Sequence, residues 1–386
     1  TDESLRDRSH ACVFMWSIGN EVLEQGSHAD ATELDLQAAN LILNAGHAID
    51  PALLKDTTLS RQSLITRHLA GIVKRLDTSR VVTAGCNEVN PANHLFRSDA
   101  LDVLGFNYHE RYFEPFLRNF PGKKLIVSES TSALMTRGYY EMPSDHIYIR
   151  PESWDKPFEA PEHVCSSYDN CHVPWGSTHE KTWHLVKTLP HVSGLFVWTG
   201  FDYLGEPTPY WWPSRSSFFG IVDLAGFPKD VYYMYKSEWT DEPVLHIFPH
   251  WNWKVGEPVD IWAYYNNADE VELYLNGKSL GVQQKTDSTY HVSWRVPFTP
   301  GTLRAVSRLG GKEVLVKEIH TAGEPARLVL TPDRSVIQAD GSDLSFVTAD
   351  VCDIDGNRVP DATPLIRFFV EGPGEIAGTD NGDPND

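Results

Sequence analysis

The chain has 386 residues, of which 41% are hydrophobic and 22% charged, an ordinary globular composition with room for two or three domains. A formal net charge of −20 argues against nucleic acid or an anionic membrane as partner. No run is long and apolar enough to predict a membrane-spanning helix.

Residues 1–10 are polar and read as the tail of a loop. Cys12 to Ile18 is then almost wholly apolar or aromatic, with no alternation. That pattern predicts a parallel strand buried on both faces. The run stops at Gly19, and Asn20 and Glu21 follow at once. In a (β/α)8 barrel the catalytic groups sit at the C-terminal strand ends. The plainer alternative is a capping Asn beside a surface Glu.

Residues 30–49 carry Leu34, Ala38, Leu41, Ala45 and Ile49 on one helical face. A second helix is predicted over 60–76, where Leu64, Ile65, His68, Leu69, Ile72, Val73 and Leu76 recur at the helical period. His68 on that stripe reads as a core or boundary residue rather than a ligand. Arg80 to Gly85 is the next strand, with Asn87 and Glu88 just past its end. Leu101 to Phe106 is another, followed by Asn107, Tyr108, His109 and Glu110.

Lys124 to Val127 leads into Ser128 and Glu129, a second short apolar run that ends in a carboxylate. Two buried strands that each deliver a Glu are what a glycosidase needs. One carboxyl protonates the leaving oxygen, and the other attacks the anomeric carbon or activates water. Otherwise Ser128-Glu129 merely opens the next loop. The stretch 130–176 is irregular and holds Tyr139, Tyr140, Tyr148, Trp154 and Trp175 among Pro and Asp residues. So long a connection is usually a functional loop. Ser177-Thr-His-Glu180 has the form of a capping box that opens a helix through Leu189. Gly194 to Thr199 is the last strand of this part. Strand pulses near residues 12, 80, 101, 124 and 194 predict a five-stranded parallel α/β unit.

From about residue 244 the texture changes. Val259–Tyr265, Glu270–Leu275 and Tyr290–Trp294 alternate between apolar and polar residues. Asn276-Gly277 is a strong hairpin signal, and Gly310-Gly311 marks a second turn. This spacing predicts a β-sandwich that ends near Thr321. A second set of strands begins at Ala326–Leu330 and continues with Leu344–Val351 and Leu365–Val370. These are too few for a closed sandwich.

Several of these stretches resemble glycoside hydrolase family 2. Trp16-Ser-Ile-Gly-Asn-Glu21 is similar to the family's acid/base motif, and Ile126-Val-Ser-Glu129 to its nucleophile motif. Phe196-Val-Trp-Thr-Gly-Phe-Asp-Tyr203 resembles its eighth barrel strand, which carries an active-site Trp. The likeness continues through Trp211-Trp-Pro-Ser-Arg-Ser-Ser-Phe-Phe-Gly220 and Gly226-Phe-Pro-Lys-Asp230, in the manner of β-galactosidases of Bacteroides-like bacteria. It implies an α/β fold in which 1–243 is the C-terminal part of a TIM barrel, about strands 4–8. An immunoglobulin-like sandwich over 244–322 and a second, incomplete one over 323–386 are implied next. The chain is thus expected to begin inside the barrel.

The resemblance also implies a retaining mechanism, with carboxyl groups about 5–5.5 Å apart and a covalent glycosyl-enzyme intermediate. It assigns Glu129 as nucleophile and Glu21 as acid/base. Negative charge on Glu129 would favour the proton on Glu21, and glycosylation of Glu129 would release it. Asn20 is implied to bind the sugar 2-OH, Tyr108 to orient Glu129, and Trp198 to contact the sugar. Core packing is the alternative for Tyr108 and Trp198. Trp211 and Trp212 are weaker candidates for the entrance, and His109 and Glu110 could face either the site or a helix.

The family's glucuronidases grip the sugar carboxylate with an Asn-x-Lys pair, and none lies between Phe201 and Phe219. That disfavours an acidic sugar but does not choose among galactose, mannose and glucose; it is the resemblance to the β-galactosidases that implies an exo-acting β-galactosidase of carbohydrate catabolism. Its partner would be a β-galactoside oligosaccharide or polysaccharide side chain. Alternatives are a β-mannosidase or β-glucosidase type of the same family, or a non-catalytic carbohydrate-binding or adhesion protein. No cofactor is implied, no dense metal-ligand spacing occurs, and a divalent metal and a homo-oligomer stay open. A periplasmic or secreted location is expected from the resemblance. Of the five cysteines, Cys12 and Cys86 read as buried thiols, and Cys165 and Cys171 are close enough in sequence to pair.

Overall fold

The computed structural model describes residues 2–22, 58–152, 158, 160 and 162–386. The helix expected over 30–49 and Trp154 lie outside the described residues. The chain divides into two compact units. One comprises Thr1–Leu134, Ile147–Pro161 and Cys171–Gly200, the other Met135–His146, Glu162–Asn170 and Phe201–Asp386.

The first unit is built on five parallel strands in the order β1-β2-β3-β4-β7. They are β1 Met15–Asn20, β2 Val81–Cys86, β3 Val103–Asn107, β4 Lys124–Glu129 and β7 Val192–Leu195. The short strands β5 Tyr148–Ile149 and β6 Cys171–His172 pair with each other. Its helices are α1 Asp2–Asp7, α2 Arg61–Leu76, α3 His94–Arg97, α4 Phe116–Asn119 and α5 His179–Thr188. β2, β3 and β4 are buried because they have a strand on either side, and their apolar residues meet Phe96, Phe113, Phe116 and Phe120. β1 departs from expectation. Among the described residues it is an edge strand, paired with β2 alone, and its residues are half-buried or exposed rather than covered on both faces. Cys12, ahead of it, is exposed, against the expected buried thiol, whereas Cys86 is buried. None of the five cysteines is in a disulfide, so Cys165 and Cys171 are not bridged to each other.

Helix α2 is capped by Ser60, whose side chain accepts from the Ser63 backbone N–H at 3.0 Å. Its buried residues are Ser63, Thr66 and Ala70, with Val73 packed on the core. The expected apolar stripe is therefore rotated outward: Leu64, Ile65, His68 and Leu69 are exposed. Helix α5 starts one residue later than the capping-box reading. Thr178 is its N-cap and accepts from the Lys181 N–H. Phe14, before β1, and Phe196, after β7, stack at 6.4 Å with their planes 11° apart.

The second unit contains helix α6, Asp230–Trp239, and the remaining strands. β11-β10-β13-β14 form one sheet and β12-β9-β8 another. The strands are β8 Leu245–Phe248, β9 Pro258–Tyr265, β10 Glu270–Leu275, β11 Lys278–Gln283, β12 His291–Pro297, β13 Thr302–Leu309 and β14 Lys312–His320. The alternation in β12 buries Val292, Trp294 and Val296 against Ile261, Leu273, Leu303 and Ala305 of the other strands. Asn276 and Gly277 take φ of 50° and 78° in the β10–β11 turn, as a primed two-residue turn requires. Gly310-Gly311 closes the β13–β14 hairpin in the same way. Beyond it, β15 Arg327–Pro332 pairs with β16 Val347–Cys352. Leu365–Val370, expected as a further strand, has no regular structure.

Candidate active site

The C-terminal ends of β1, β3 and β4 deliver Asn20 and Glu21, Asn107 and Tyr108, and Ser128 and Glu129. The backbone turns sharply just past each of these ends. Glu21 has φ 46°, Tyr108 57°, His109 58°, Thr131 70° and Ser132 48°. Left-handed conformations at non-glycine residues, one of them the β-branched Thr131, are costly and cluster at functional sites.

The amide of Asn107 donates to Asn20 Oδ1 at 2.9 Å and to Glu21 Oε1 at 3.0 Å. Its own oxygen accepts from Ser128 Oγ at 2.6 Å. The next residue, Tyr108, donates from its hydroxyl to Glu129 Oε2 at 3.2 Å. Ser132 donates to that phenol oxygen at 2.8 Å, which leaves the phenol proton for Glu129. Burial, and then the charges of Glu129 and Glu21, push the Tyr108 phenol well above its ordinary value. It is therefore a neutral donor at any physiological pH. Two consecutive residues of β3 and its end thus hold one carboxylate each.

Trp198 lies on the segment after β7. Its N–H donates to Ser130 O at 3.0 Å, and Thr131 Oγ1 donates to its carbonyl at 3.3 Å. Its backbone is therefore tied to the residues that follow Glu129. His109 turns to Asn87, with Nε2 2.9 Å from Asn87 Oδ1, and burial pushes its imidazole down to about 4. Glu110 faces helix α5, where Thr182 donates to it at 3.0 Å. The Asn20, Glu21, Tyr108 and Glu129 set expected from sequence is thus brought together at one end of one sheet. Trp211 and Trp212 are 76% and 75% exposed in the second unit. Among the described residues no group of three or more His, Cys, Asp or Glu could hold a metal ion.

Asn107, Ser128, Ser132 and Gly85 were not singled out from sequence. Asn107 carried the same signal as Asn20, a polar residue at the end of a buried strand. Glu88, at the end of β2, is a further carboxyl at this end of the sheet, and burial pushes it up to about 7. A carboxyl raised in the folded state is destabilising when ionised, so its cost is absent near pH 4 and grows through pH 7. Glu88→Gln is expected to raise the melting temperature at pH 8 and to leave it nearly unchanged at pH 4. Equal shifts at both values would show that ionisation of Glu88 carries no cost.

Two family models match the chain. One is a domain of unknown function over residues 256–315, and the other is the glycoside hydrolase family 2 C-terminal domain 5 over 328–386. A β-galactosidase of Bacteroides ovatus is 60% identical over 99% of this chain and 45% of its own length. A β-glucuronidase of Formosa agariphila is 33% identical over 74% of this chain and 28% of its own. Among solved structures, a β-glycosidase from Bacteroides vulgatus superposes with a TM-score of 0.71 at 29% identity. That alignment covers 92% of this chain and 42% of that one. The chain spans less than half the length of these relatives.

Proposed function

We propose, for a chain that belongs to glycoside hydrolase family 2, that it carries the two catalytic carboxyls of a retaining β-galactosidase. The observation that supports this most is the pair of contacts from β3, Asn107 to Glu21 and Tyr108 to Glu129. In this reading Glu129 attacks the anomeric carbon while Glu21 gives its proton to the leaving oxygen. Glu21 then takes a proton from water as water displaces Glu129. Tyr108 holds the attacking oxygen in line, Asn20 receives the sugar 2-OH, and Trp198 contacts the sugar face.

The parallel sheet is, in this reading, an arc of a (β/α)8 barrel. A flat sheet would hold β1 and β7, four strand spacings apart, at about 19 Å. The Phe14–Phe196 stack at 6.4 Å supports a curled sheet, as a barrel wall is. A neutral galactoside is favoured by the identity to the Bacteroides ovatus β-galactosidase. The segment between Phe201 and Phe219 contains neither Asn nor Lys to grip a sugar carboxylate, which disfavours the glucuronide that other relatives are named for.

A panel of aryl β-glycosides tests the substrate, with a protein of the relatives' full length. Preference for the galactoside is expected. Turnover of the glucuronide alone would overturn the sugar assignment, and turnover of none would favour a binding protein. The roles separate at Glu21→Ala. It is expected to lose about 10²–10⁴-fold on an alkyl galactoside and far less on a dinitrophenyl galactoside, which hardly needs protonation. Azide should restore turnover and yield the β-galactosyl azide. Equal losses on both substrates without rescue would remove the acid/base role.

A further inference from the structure

We propose that Asn107 is the positioning residue of the acid/base arm. It reaches from β3 over β2 to fix Asn20 and Glu21 on β1. This rests on the reading of Glu21 as acid/base, and the side chain itself touches no reacting atom. Asn107 is fully buried, and all three hydrogen-bonding directions described for it are used within the site. The Ser128 hydroxyl fixes its oxygen, so both amide protons must point toward β1, one to Asn20 and one to Glu21.

Strand order makes this reach unusual, because β2 lies between β3 and β1. The crossing point on β2 is Gly85, which is the register partner of Asn20 in β1 and of Gly105 in β3. A Cβ on Gly85 would stand 2.4 Å from Asn20 Oδ1 and 3.0 Å from Asn107 Oδ1. A Cβ on Gly105 would stand 2.4 Å from Ala84 O and 2.8 Å from Ser128 Oγ. The two missing side chains therefore open the channel through which Ser128, Asn107, Asn20 and Glu21 connect. Through it the strand that bears Glu129 also sets the position of Glu21. Asn107 thereby links the two carboxyl-bearing strands.

Asn107→Leu has nearly the same shape, adds no buried charge and cannot donate, so a space-filling role would tolerate it. It is expected to lose about 100-fold in kcat/KM on an alkyl galactoside, the scale of a misplaced catalytic group, and far less on a dinitrophenyl galactoside. In a Glu21→Ala background the same change should cost clearly less than in the parent, because one of the two groups it positions is gone and only Asn20 remains. Gly85→Ala, whose methyl would press on Asn20 Oδ1 and on Asn107 Oδ1, should reproduce the split between substrates with the Asn107 amide still present. Full additivity with Glu21→Ala, or equal losses on both substrates, would overturn the proposal. Crystal structures of the parent and of Asn107→Leu decide it independently of activity. Asn20 and Glu21 should leave their places in the variant, and unchanged positions overturn the proposal. If the parent hydrolyses no glycoside, the catalytic reading fails while this structural comparison still stands.

Discussion

Glu129→Ala is expected to abolish hydrolysis of an aryl β-galactoside in a protein of full length, by about 10⁴-fold or more. A nucleophile has no substitute, because the covalent step needs one defined carboxylate at the anomeric carbon. The loss should be the same for good and poor leaving groups, unlike that of Glu21→Ala. A 2-deoxy-2-fluorogalactoside should label the parent on a peptide that contains Glu129. Tyr108→Phe provides a graded comparison. It removes the 3.2 Å hydrogen bond to Glu129 Oε2 but leaves the carboxylate in place, so it should cost much less. Label found on another carboxylate, or a Glu129→Ala protein that still turns over, would remove Glu129 from its role.

The parts of this site that were readable in advance have a common physical origin. A parallel strand buried on both faces is an unbroken apolar run, so a polar residue at its end stands out. Glu129 and Tyr108 both follow such runs, and both strands are central in the sheet. Asn107 has the same local signature, yet its importance depends on an absence elsewhere. Only the missing side chain at Gly85 lets it reach β1, and that depends on which strands are neighbours. No local pattern contains that information.

Two misreadings have equally definite causes. In α2 the hydrophobic period marked Leu64, Ile65 and Leu69 as the packed face, but Ser63, Thr66 and Ala70 pack instead. Ser63 is held there by a polar contact, its hydroxyl donating to His94 O at 2.7 Å. Periodicity gives the spacing of a face and ranks candidates by apolarity. It does not see that small side chains and hydrogen bonds can select another face. The apolar run predicts burial at Cys12, but Cys12 precedes an edge strand and is exposed. Composition does not distinguish edge from centre.

The largest effect on stability is expected at Lys229, which takes no part in the site. Lys229 and Asp202 form an ion pair at 2.6 Å, each side chain only 1% exposed. Burial pushes the Asp202 carboxyl up and the Lys229 ammonium down, and each charge partly offsets the shift of the other. Lys229 also donates to Met135 O at 2.8 Å and Phe218 O at 3.3 Å, while Asp202 accepts from Gly220 N at 2.7 Å and Ser217 Oγ at 3.2 Å. Lys229→Met leaves Asp202 buried without its counter-charge, a change that typically costs about 3–5 kcal/mol. An isolated Asp202 would hold its proton more tightly folded than unfolded. The deficit should therefore be small in acid and grow as pH rises through the carboxyl's raised folded value. Lys229→Met with Asp202→Asn should recover most of the loss, because the Asn oxygen still accepts from Gly220 and no charge remains. Replacing Asp202 by Leu instead would strand both donors, at about 1–3 kcal/mol each. Denaturant unfolding of the four proteins across pH 5–8 measures these differences. A Lys229→Met loss below about 1 kcal/mol, the level of an exposed pair, would show that water reaches the pair and that its burial has been misjudged.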